Sequence, residues 1–152
     1  MQTIAISSFK GGTAKTSTAL HIGAALSKFH KKKVLLIDFD AQANLTTGLG
    51  FDPDENDSLA SVLQGNKQLN EVILKTHISH LDLIPADTWL ERIEVTGSLA
   101  ADRYSHEKLR NLLLPLDYDI VIIDTPPLSL LANRISPHCC TPHPRLCHSR
   151  IL

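Results

Sequence analysis

With 152 residues, 43% of them hydrophobic and 20% charged, the chain has the size and balance of one ordinary globular domain. Its formal net charge of −1 supplies no basic field, so composition carries no sign of strong nucleic-acid binding. No apolar run approaches the roughly 18 residues of a membrane span. The opening Met1–Ile6, without a basic lead or cleavage-like site, reads as a strand rather than a signal peptide, which makes a cytoplasmic location the expectation.

Residues 2–7 are apolar and β-branched, as in a buried first strand. A loop, Ser8–Ala14, leads into Lys15–Phe29, whose apolar positions Ala19, Leu20, Ile22, Ala24, Ala25, Leu26 and Phe29 are spaced for a helix packed on a sheet. Lys31-Lys32-Lys33 marks a solvated turn. Val34–Asp38 and Tyr118–Asp124 are continuous apolar runs ending in carboxylates, the pattern of strands covered on both faces. Between them the pattern predicts a helix at Ser58–Gln64, capped by Asp57 or Ser58. A further helix is expected near Leu69–Leu74, a strand at Leu81–Ile84 and a helix around Ser105–Leu114. Strands alternating with helices specify an α/β fold, a mainly parallel sheet flanked by helices.

The chemistry concentrates at strand ends. Lys10-Gly11-Gly12-Thr13-Ala14-Lys15-Thr16-Ser17 joins a strand to a helix, so loop amides and the helix N-terminus would face bound phosphates. Lys15 is placed to reach the β- and γ-phosphates of a nucleotide, and the Thr16 hydroxyl to meet Mg²⁺. The strict pattern Gly-x-x-x-x-Gly-Lys-Ser/Thr is not met: Phe9 and Ala14 stand at its glycine positions. Taken alone, a plain Gly-Gly turn before a lysine-bearing helix would account for the segment. Asp38, Asp40 and Asp124 change this, because ligands of parallel sheets bind beyond the carboxyl ends of the strands. Two carboxylate-tipped strands converging on Lys15-Thr16 make a phosphate and Mg²⁺ site.

Three blocks together resemble the ParA/Soj family of partitioning ATPases, within a P-loop group that also holds MinD-type proteins. They are Lys10–Thr16, Leu35–Thr46 and Ile122–Pro127. In the second block the family pattern Asp-x-Asp-Pro-Gln-x-Asn-x-Thr is kept except for Ala41 in place of proline. The resemblance covers residues 1–127 and implies a P-loop NTPase-like sheet using ATP and Mg²⁺. Position by position it implies that Lys10 crosses a dimer interface to the partner's nucleotide, that Lys15 binds phosphate and that Thr16 ligates Mg²⁺. Asp40 would then position the attacking water, Asp124 would stand near the Mg²⁺ shell, through water, and Asp38 would support them. It further implies a homodimer with ATP sandwiched, a ParB-type centromere-binding partner and non-specific DNA binding, and no membrane.

Residues 128–152 differ in character. From Thr125 onward there is no Asp, Glu or Lys, while Cys139, Cys140 and Cys147 gather there with Pro137, Pro142 and Pro144. No folded element is expected in 136–152. The interleaved His138, His143 and His148 match no usual zinc-ligand spacing. The C-terminal strands, the adenine-contacting segment and the basic DNA-binding residues of the family are not visible after Pro127. A truncated or frameshifted continuation is the expectation, and residues 132–135 are codable as a shifted reading of Trp-Leu-Thr-Glu-Ser. The alternatives are a truncated nucleotide-binding module without hydrolysis, or a MinD-like membrane-cycling ATPase. The latter needs a C-terminal basic amphipathic helix, which the prolines oppose.

Overall fold

The computed structural model describes residues 1–8, 12–90 and 105–127. Lys10, Gly11 and the segment 128–152, with its cysteines and histidines, lie outside the described residues.

Among the described residues five strands form one sheet: β1 (Gln2–Ile6), β2 (Val34–Asp38), β3 (Leu74–Lys75), β4 (Leu81–Ile84) and β5 (Ile120–Asp124). Their spatial order is β1-β5-β2-β4-β3; the first four run parallel and β3 pairs antiparallel with β4. The helices are α1 (Lys15–His30), α2 (Asn44–Gly48), α3 (Leu59–Leu63) and α4 (Ser105–Leu113), with a 3-10 turn at Leu69–Val72.

The continuous apolar runs follow from burial on both sides. Every residue of β2, β4 and β5 is buried. Because side chains alternate across a strand, Leu35, Ile37, Val121 and Ile123 pack with Leu59, Val62, Leu69, Leu109 and Leu113 on one face. Val34, Leu36, Leu81, Leu83, Ile120 and Ile122 pack with Ala19 of α1 and with Leu45 and Leu49 on the other. The described residues thus cover both faces of the sheet, as the continuous apolar runs led us to expect.

Helix α1 meets the sheet through Ala19, Gly23 and Ser27, a stripe of small residues at intervals of four. The closeness is measurable at Gly23, where an added Cβ would lie 2.8 Å from Leu36 Cδ2 and 3.3 Å from Leu81 Cδ1. Ser27, fully buried, donates its hydroxyl to the Gly23 carbonyl at 2.9 Å and to that of His80 at 3.2 Å.

The expected helix near Leu69–Leu74 is instead one 3-10 turn followed by β3. A reciprocal capping box between Gln68 and Glu71 starts the turn, and Ile73 at φ −77°, ψ 119° sends the chain into extended geometry. Helix α3 begins as the sequence suggested: the Ser58 hydroxyl accepts the Ala60 amide at 3.0 Å. The short helix α2 was not foreseen.

The tight α1–sheet contact yields a stability test. Gly23→Val should lower the unfolding free energy in urea by about 1–3 kcal/mol through overpacking. Gly23→Ala should cost less, since the helix-propensity gain of about 1 kcal/mol offsets part of the clash.

Candidate functional site

The parallel pairing sets the site. β2 and β5 are neighbours in register, with Asp38 opposite Asp124, and Asp124 is also opposite Ile6 at the end of β1. All three strands therefore end at the same edge, where the loop between β1 and α1 emerges. The strand ends are tied further: Phe39 N–H donates to the Asp124 carbonyl at 2.9 Å, and the Thr125 hydroxyl to that of Ile6 at 2.9 Å.

Helix α1 starts at Lys15 with no side-chain cap and no acidic residue in its first turn. Its leading amides and the positive end of its dipole are left for an anion. The loop reaches this point through two left-handed residues, Gly12 at φ 73° and Ala14 at φ 58°, ψ 26°. Glycine adopts that region freely; alanine there costs about 1–2 kcal/mol. Gly12, Thr13, Ala14 and Ser17 are exposed, and Lys15 and Thr16 half-buried.

Asp124 is 1% exposed, and neither of its carboxylate oxygens has a hydrogen-bond partner among the described residues. Burial pushes its pKa up; the Thr16 hydroxyl opposes that rise, the Asp40 charge adds to it and the Lys15 ammonium opposes it. Thr16 thus stands close enough to favour the charged carboxylate, but not in hydrogen-bond geometry. A buried carboxylate with two orphaned oxygens beside a hydroxyl and an ammonium is costly unless a cation completes it. The all-oxygen donor set fits a hard cation such as Mg²⁺, held in part through water.

Asp38 is satisfied differently. Fully buried, it accepts from the Thr46 amide at 2.9 Å and the Thr46 hydroxyl at 2.7 Å through Oδ2, and from the Asp40 amide at 3.2 Å through Oδ1. Burial raises its pKa from 3.8 to about 6 against the pull of these bonds, and the Asp124 charge adds to the rise. The shift corresponds to about 3 kcal/mol. Because the folded protein holds the proton more tightly than the unfolded chain, this contribution is full below the ordinary carboxylate range and is lost as pH rises through about 6.

Asp40 is half-buried at the turn into α2, where its Oδ1 accepts the Gln42 amide at 3.0 Å and its carbonyl accepts the Ala43 amide at 2.8 Å. The structure therefore brings Lys15, Thr16, Asp38, Asp40 and Asp124 to one sheet edge; Lys10 and Gly11 lie outside the described residues. Sequence reasoning gave no role to Thr46, although it closes the second motif, or to Ala43, which caps α2 at φ 50°.

A strand, a left-handed loop and an uncapped lysine-threonine helix start, with carboxylates ending the adjacent strands, define an α/β domain of the P-loop NTPase class. The profile of a family described as an AAA domain matches residues 1–136. A ParA family protein of Chlamydia muridarum is 64% identical over 151 residues, covering 93% of this chain and 59% of the relative. The chromosome partitioning protein ParA of Caulobacter vibrioides is 38% identical, over 84% of this chain and 48% of the relative. Among solved structures, cobyrinic acid a,c-diamide synthase from Mycobacterium smegmatis with bound ADP and magnesium superposes with a TM-score of 0.79. It is 35% identical and covers 90% of this chain and 56% of its own. The chain belongs to the ParA family. It spans somewhat more than half the length of the first of these relatives.

The strained loop residue makes a direct prediction. Ala14→Gly should raise unfolding stability by about 0.5–1 kcal/mol, relief of the left-handed cost exceeding the extra entropy of an unfolded glycine. Urea denaturation of the two proteins checks it; a loss of stability would show that Ala14 is not held left-handed.

Proposed function

We propose that this chain is the nucleotide-binding part of a Mg²⁺-dependent ParA-type ATPase that switches between states in plasmid or chromosome partitioning. The observation that carries the reading is the orphaned, buried Asp124 carboxylate beside Thr16 and Lys15 at the uncapped start of α1. The ADP and magnesium of the cobyrinic acid a,c-diamide synthase structure support the choice of ligands.

In this reading the amides of Gly11, Gly12, Thr13 and Ala14, with those of the first turn through Ser17, cradle the phosphates of ATP. Lys15 places its ammonium on the β- and γ-phosphate oxygens. The Thr16 hydroxyl, with Asp124 through water, holds Mg²⁺. A Mg²⁺ ion held there would supply positive charge to offset that of the phosphates. Asp40 orients the attacking water, and its own position is set by the turn that Asp38 braces. Lys10 reaches the nucleotide of a partner subunit across a dimer that sandwiches ATP. Since phosphoryl transfer asks mainly for positioning and charge compensation, these few groups suffice for a slow switch. A ParB-type protein is the partner that stimulates hydrolysis, and non-specific DNA is the track in the full-length family.

Calorimetric titration with Mg²⁺-ATP and a turnover assay test this together. Lys15→Ala should weaken binding by about 10-fold or more, as expected for loss of a charge-assisted contact. Asp40→Ala should keep binding but cut turnover by roughly 10²-fold or more. If all three proteins bind nucleotide yet show one background rate, the ATPase reading fails and a non-hydrolysing nucleotide-binding module stands.

A further inference from the structure

Beyond the residues that would touch nucleotide lies a buried polar junction in which that scheme gives Thr46 no part. Thr46 is fully buried in α2, eight residues after Asp38. Its hydroxyl donates to Asp38 Oδ2 at 2.7 Å and accepts the Ala86 amide at 3.1 Å, while its own amide donates to the same Asp38 oxygen at 2.9 Å. Asp38 Oδ1 in turn accepts the Asp40 amide at 3.2 Å. We propose that Thr46 is a positioning residue: its hydroxyl locks Asp38 into the orientation that holds the Asp40 turn, and ties that turn to the segment following β4. The proposal rests on the reading of Asp40 given above.

The direction of each bond leaves no freedom. The Ala86 amide can only donate and a charged Asp38 can only accept, so the single Thr46 hydroxyl proton must go to Asp38 and a lone pair to Ala86. Helix α2 has no side-chain cap of its own, Ala43 standing at its N-cap. Asp38 supplies the missing function from the end of β2: it accepts the amide at the third helical position, as a capping side chain would, and places negative charge at the helix start. The Asp40 turn is therefore held by a carboxylate that is itself held by Thr46.

The far side of the junction is equally anchored. Ala86 is fully buried, the neighbouring Pro85 carbonyl accepts the Leu59 amide at 2.9 Å, and Asp87 Oδ2 accepts the Ser58 hydroxyl at 2.6 Å. Displacement of the segment between β4 and Asp87, or of the α3 start bonded to it, would thus pass through one hydroxyl to the Asp40 turn. Replacing that hydroxyl with a methyl leaves a buried amide and a buried carboxylate oxygen each short of a partner, which favours a shift of the turn.

The test compares wild type, Thr46→Val and Thr46→Ser as full chains with Mg²⁺-ATP. Thr46→Val should lower kcat by about 10- to 100-fold, the scale of a small misplacement of a reacting group, with KM changed by less than about twofold. Thr46→Ser, which keeps the hydroxyl, should restore most of the loss. Amide hydrogen exchange without nucleotide gives an independent readout: the Asp40 and Ala86 amides should exchange faster in Thr46→Val. A wild-type kcat in Thr46→Val, or unchanged exchange at Asp40, overturns the proposal. If wild type turns over no faster than Asp40→Ala, the ATPase reading has failed, and the exchange data still decide the positioning role. If Thr46→Val does not fold, exchange in wild type decides: Asp40, Thr46 and Ala86 amides should share one opening free energy, and a much less protected Asp40 overturns the proposal.

Discussion

Two carboxylates buried side by side at the ends of adjacent parallel strands are the constraint on which the rest of this structure depends. Asp38 and Asp124 face each other in register, both almost wholly removed from water, and the Asp124 charge raises the cost of ionising Asp38. The protein resolves the conflict asymmetrically. Asp38 is given three hydrogen bonds and becomes structural, capping a short helix and bracing a turn. Asp124 is given none among the described residues, where the nearby Thr16 and Lys15 favour its charge. That imbalance leaves one carboxylate committed to the fold and the other available to a cation.

The same edge explains the loop. A helix placed against the sheet by its Ala19, Gly23 and Ser27 stripe points its uncapped N-terminus at Asp124. The chain reaches that start only by passing through left-handed geometry at Gly12 and Ala14. Strain at Ala14 and the unpartnered Asp124 carboxylate are both costs to the fold, and on the proposed reading an anion with its cation would compensate the second. Local rules fail here in the way they do at sites arranged for a partner outside the chain.

Much of this was legible in the sequence. The runs Val34–Asp38 and Tyr118–Asp124 announced doubly covered strands because both faces of the sheet are buried, and Ser58 announced the start of α3 because its cap is local. The convergence of Lys15, Thr16, Asp38, Asp40 and Asp124 followed from parallel topology alone. What could not be read was non-local. Strand β3 is two residues long and exists only through pairing with β4, so Leu69–Leu74 looked like a helix. Helix α2 carries no capping side chain because its cap is Asp38, on another element. The hydroxyl of Thr46 meets an amide 40 residues away, a contact that no spacing rule reaches.

The central claim is that Asp124 is held unsatisfied for a cation that accompanies a nucleotide. Thermal unfolding with a fixed excess of ATP, measured with Mg²⁺ and again with chelator, tests it most directly in wild type and Asp124→Asn. The account predicts that Mg²⁺ raises the wild-type Tm well beyond ATP alone, by mass action on the folded state, and that Asp124→Asn loses most of that increment. An equal Mg²⁺ increment in both proteins would contradict it.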